Sequence, residues 1–200
     1  MKKLLLFTLL ISSSVVFSQK EKVTKGDWSA LKGVSEFNLV FDYSNLEIPK
    51  FDSEEAFLED KMAKRDEKEP GTGENFKESW FSDREEYYEP RFIETFNERY
   101  KDGLVKVDRD LGSAEYTMNV HTTMMYPGYN VGVMRQNSKI EVTISVYKND
   151  SPNDILFSAD YTKIQGAGSG GFDYNSGQRI ADAYIIFARA LVKDWYKNTK

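Results

Sequence analysis

Few residues in this chain are equipped for chemistry. Of its 200 residues none is cysteine and one, His121, is histidine. That composition removes thiol nucleophiles, Cys-ligated zinc, iron–sulfur clusters and His-rich metal sites. His121 lies between Val120 and Thr122 in an alternating segment, where a solvated or hydrogen-bonded strand histidine is the simplest role. The most conspicuous motif is Gly166-Ala167-Gly168-Ser169-Gly170-Gly171. A P-loop needs Lys and Ser/Thr after its glycines so that the lysine reaches the phosphates; here Phe172-Asp173 follows. A dinucleotide fingerprint opens a helix directly after a parallel strand, and the helix pattern here begins several residues late. Ser169 as a nucleophile would need a histidine base later in the chain, and His121 precedes it. Nothing singles out a catalytic pair among the 32 acidic side chains. The chain therefore reads as a non-enzyme with no cofactor and no metal.

Binding is a different matter, and it depends on the elements that carry the loops. Phe37, Leu39, Phe41 and Tyr43 alternate with polar residues over 35–43, which predicts a half-buried strand. Residues 52–69 are dense in charge and predict a solvated helix. Phe76, Trp80, Tyr88, Phe92, Phe96 and Tyr100 recur at helical steps through 74–101, an aromatic stripe that reads as core. Pro90 and the Ser82/Glu85 capping-box pair predict a break and a second helix near 90–101. Three strands follow over 114–125, 138–147 and 154–164, with Tyr116, Met118, Val120 and Met124 facing inward on the first. A last helix over 178–197 buries Ile180, Ala183, Tyr184, Phe187, Leu191 and Trp195, capped by Asn175 or Ser176.

This order predicts an α+β two-layer sandwich, a mostly antiparallel sheet of about four strands with helices packed on one face. If the last three strands form a meander, the loops at 126–137 and 166–175 share one end of the sheet with the start of the last helix. Tyr126, Tyr129 and Asn130 offer an aromatic and polar surface there. Gly168, Gly170, Asp173 and Arg179 complete the candidate binding set.

At the other extreme of the chain, Lys2-Lys3 precedes an apolar run from Leu4 to Val16, and Ser18 ends it. Residues 1–18 read as a secretory signal peptide, 19–33 as a linker and 34–200 as a single α+β domain. The run is too short for the roughly 20 apolar residues of a membrane span. A lipid anchor would need a cysteine. The expected location is secreted or periplasmic. With 27 basic against 32 acidic side chains, formal net charge −5, the chain is a poor partner for nucleic acid.

Several segments carry a resemblance: Phe41-Asp42-Tyr43, Trp80 with Phe92 and Phe96, 126–133 (YPGYNVGV) and 177–184 (GQRIADAY). In these the chain resembles a group of uncharacterised secreted proteins of Bacteroidetes-type bacteria. In element order it is distantly similar to the α/β domain of curli-secretion and transport-auxiliary envelope lipoproteins. That likeness implies an assembly or scaffold role, without the anchoring cysteine. Two functional expectations lead. One is a partner-binding or assembly module of the envelope or exterior. The other is a small-ligand or glycan-binding module using the two loops. An enzyme of unknown type is the third.

Overall fold

The computed structural model describes residues 19–99, 105–130, 134–166 and 175–199. The chain is α+β with a mixed six-stranded sheet. In chain order the elements are β1 (Lys20–Lys25), a 3-10 turn (Trp28–Leu31), β2 (Glu36–Asp42), α1 (Glu54–Asp66), α2 (Thr72–Asp83), a π-helical turn (Arg84–Tyr88) and α3 (Glu89–Arg99). Then come β3 (Lys106–Asp108), β4 (Tyr116–Tyr126), the short strands β5 (Tyr129–Asn130) and β6 (Arg135–Gln136), β7 (Lys139–Lys148), β8 (Ile155–Gln165) and α4 (Ser176–Thr199).

The strand order is β1-β8-β7-β4-β2-β3. β4, β7 and β8 form the antiparallel meander that their alternation predicts. Four strands was an underestimate, for two reasons. β2 and β3 join in parallel, β2 beside β4 and β3 beside β2, and parallel partners are distant in sequence. β1 pairs antiparallel with β8 and lies inside the stretch expected to be a linker. Residues 19–33 thus belong to the fold: after β1, the rings of Trp28 and Phe157 meet at 4.5 Å, and Leu31 is fully buried.

One sheet face carries Phe37, Leu39, Met118, Val120, Ile140, Val142, Ile144, Val146, Phe157, Ala159 and Tyr161, all buried beneath the helices. α4 crosses this face: Phe187 meets Tyr161 at 5.2 Å and Trp195 meets Phe37 at 5.1 Å. α3 packs on α4 through Phe92 and Phe187, stacked at 5.2 Å. Tyr100, the last of the aromatic stripe, lies outside the described residues. The opposite sheet face is polar and half-exposed, with Asn119, His121, Thr143 and Asp160.

Two local corrections have clear causes. A register shift between Thr122 and Met124 turns Met125, not Met124, into the core. An extra residue in one strand reverses which side chains face inward beyond it. Ser82 does not cap a second helix, because the helix continues through the π-helical turn into α3. Pro90 is accommodated in the first turn of α3, immediately after that widened turn.

Candidate functional site

Tyr126, Lys139 and Gln165 share one end of the meander, and the described residues next to them, 127–130, 134–138 and Gly166, lie there with the start of α4. Tyr126 ends β4, and its hydroxyl donates to Gln136 Oε1 at 2.7 Å. Burial raises the Tyr126 pKa, nearby Tyr129 adds to the rise, and Arg179 opposes it. Gly128 has φ +65°, and a Cβ there would strike Gln136 O and approach Asn137 C at 2.8 Å. Only glycine allows the Pro127-Gly128 turn to lie so close to the returning strand. β5 and β6 then pair as a small hairpin, Tyr129 opposite Gln136 and Asn130 opposite Arg135.

Arg179, in the first turns of α4, ties this hairpin to the core. It is 6% exposed. Its Nε donates to Pro127 O at 2.9 Å and its Nη2 reaches Gly128 O at 3.5 Å. The Ser138 hydroxyl donates to Arg179 O, and the Gly166 N–H donates to Ser138 O at 3.1 Å. The guanidinium therefore positions the turn. Beyond this fixed base, Tyr129 is 39% exposed and Met134 is 59% exposed. Gly168, Gly170 and Asp173 lie outside the described residues.

His121 is remote from this end. Its Nε2 lies 2.9 Å from Ser44 O, on the polar sheet face beside Asp42. Among the described residues, no group of three or more His, Asp or Glu is arranged to hold a metal ion. No helix among them is long and apolar enough to cross a membrane.

A cleft of about 510 Å³ opens elsewhere, between the end of α1, the outer side of α2 and the start of α4. It is not the pocket expected between the two loops, although it reaches Asn175 at the edge of one. Arg65, Thr72, Asn75, Ser79, Asp83 and Ser176 supply its polar lining, and Phe76 and Trp80 its apolar part. The Arg65 guanidinium lies 3.8 Å from the centre of the Phe76 ring. The Trp80 indole N–H donates to Glu54 Oε1 at 2.6 Å, and Arg84 pairs with the same carboxylate oxygen.

Asp83 is the unusual member. It is 6% exposed, yet no hydrogen bond or ion pair holds its carboxylate among the described residues. Burial, reinforced by the charge of Glu86, pushes its pKa up to about 6. The carboxylate lies against Gly177, where any Cβ would strike its Oδ2 and come within 2.6 Å of its Cγ. Glycine in the first turn of α4 thus admits the acid. Behind it, the hydroxyl of Tyr88 and Nε of Arg84, both in the π-helical turn, are buried without partners among the described residues. The Tyr88 ring stacks on Tyr184 at 5.3 Å. The signal for this cleft was present in the sequence as the polar row Thr72, Asn75, Ser79 and Asp83 at helical spacing, beside the aromatic stripe. Its opposite wall, at Asn175 and Ser176, comes from the far end of the chain.

No protein-family model matches the chain, and no curated protein does. Among solved structures it is similar to the PelC dodecamer of Paraburkholderia phytofirmans, with 14% identity and TM-score 0.38 over 88% of this chain and 96% of that one. A dodecamer of a PelC point variant from the same organism gives 13% identity and TM-score 0.37 over 86% and 98%.

Proposed function

We propose that this protein is an exported, non-enzymatic module of the cell envelope or exterior that acts by holding a partner protein. The paired strands β5 and β6, with the turn at Pro127-Gly128, form its contact surface. One observation carries the reading: Tyr129 and Met134 present apolar side chains to solvent from a hairpin whose base is fixed by Arg179, Tyr126 and Gly128. Aromatic residues and methionine are enriched where proteins meet. A fixed base lowers the ordering cost of binding. Export rests on residues 1–18, which have the charged start, apolar run and small final residue of a cleaved signal.

The test uses the protein with a photo-crosslinking residue at position 134, expressed in its native cells. The expected result is one specific cross-linked partner, lost in a Tyr129→Ser variant of unchanged melting temperature. Cross-linking that survives Tyr129→Ser, or none at all, would refute the surface. Mass spectrometry of the exported form should find an N-terminus at Gln19. Retention of residues 1–18 would refute cleavage.

A further inference from the structure

We propose that the cleft between α1, α2 and the start of α4 binds a small molecule through a protonated primary amine seated on the Asp83 carboxylate. The site is separate from the hairpin and does not depend on its role. Asp83 lines the cleft, is 6% exposed and has no hydrogen bond or ion pair among the described residues. A carboxylate enclosed on all but its cleft side loses part of its hydration, and an ion pair would restore that loss. The protein does not supply the pair. Arg84, next in sequence, is engaged by Glu54. The start of α4 does not supply it either: the Gly177 N–H donates to Asn175 Oδ1 and the Arg179 N–H to Asn175 O.

Charge selects the ligand class. Glu86 adds a second negative charge near Asp83, so the Asp83 carboxylate favours a cation, while the Arg65 guanidinium that also lines the cleft is stacked on the Phe76 ring. A neutral hydroxyl can donate a hydrogen bond but leaves the charge uncompensated. An ammonium group supplies both charge and three donors. The exposed Asn75 and Ser79, with Ser176 opposite, are placed to bind a hydroxyl carried beside the amine. The volume falls within the range of small-molecule sites.

Three probes share a two-carbon hydroxylated skeleton and differ in the charge of one end: 2-aminoethanol, ethylene glycol and glycolate. NMR titration of the purified protein, following the Trp80 indole and the Gly177 amide, should show saturable shifts with 2-aminoethanol alone. Asp83→Asn keeps the shape of the side chain and should weaken this binding roughly tenfold or more. Ser79→Trp, at an exposed helix position, should block the cleft with the fold intact. Equal response to ethylene glycol, response to glycolate alone, no response, or unchanged affinity in both variants would overturn the proposal. Nα-acetyllysine methylamide carries the same ammonium on a peptide, and tighter binding of that probe would overturn the small-molecule assignment in favour of a protein lysine.

Discussion

The two ends of α4 are built on opposite principles. At its C-terminal end, Trp195 meets Trp28 at 5.7 Å, Phe37 at 5.1 Å and Phe96 at 6.5 Å, all edge-on. Rings from three distant parts of the chain close around one indole, and shape decides the fit. At its N-terminal end the packing is polar. Arg179 holds backbone carbonyls, Asn175 caps the helix, and Asp83 is pressed against Gly177 without a partner among the described residues. The first end maximises stability. The second gives up stability to keep a charge buried, a pattern associated with binding sites.

Four substitutions test this contrast, in falling order of expected effect. Trp195→Ala should cost about 3–5 kcal/mol in urea unfolding, the range for emptying a large aromatic site. A cost below about 1 kcal/mol would mean that the aromatic end can collapse and is not closely packed. Arg179→Met keeps much of the volume but removes the donors to Pro127 and Gly128. It should cost about 2 kcal/mol and speed amide exchange in the hairpin.

Asp83→Asn should move stability the other way. The carboxyl titrates at about 6 in the folded protein against an ordinary 3.8, because of burial first and Glu86 second. The folded state therefore binds the proton more tightly than the unfolded chain does. The destabilisation is complete above pH 6, shrinks as pH falls from 6 to 3.8, and is absent below that. Allowing for solvent on the open side of the cleft, Asp83→Asn should gain about 1–2 kcal/mol at pH 7. The gain should vanish in unfolding curves taken near pH 3.5. A gain independent of pH would assign it to something other than the charge. Smallest of all, Tyr129→Ala should change stability by no more than about 0.5 kcal/mol, since the ring contributes an exposed surface.

Regular alternation and helical stripes made the aromatic end legible. The inward rows of β7 and the stripe on α4 from Ile180 to Trp195 are all buried as read. β1 was illegible because an edge strand need not alternate. KEKVTK has one half-buried residue, Val23, and its lysines suit an exposed edge. The parallel joining of β2 and β3 left no local trace, since it depends on pairing across more than sixty residues of sequence, Glu36 to Lys106. The polar end was only half legible. The meander located Tyr126, Tyr129 and Arg179 at one place, but the inward reach of Arg179 depends on Gly128 and Ser138. Asp83 carries no local mark that separates it from the other acidic side chains of the chain. Only the approach of α4 makes it buried, and that approach requires Gly177 some ninety positions later.

The edge strand has a consequence for the order of synthesis. Lys20 pairs with Thr162, and Trp28 is enclosed by Phe157 and Trp195. A ribosome must pass Thr162 before β1 has a strand to pair with, and Trp195 before Trp28 is enclosed. Contacts so far apart in sequence delay folding. β1 therefore stays unpaired until β8 has been made, and Trp28 stays uncovered until α4 has.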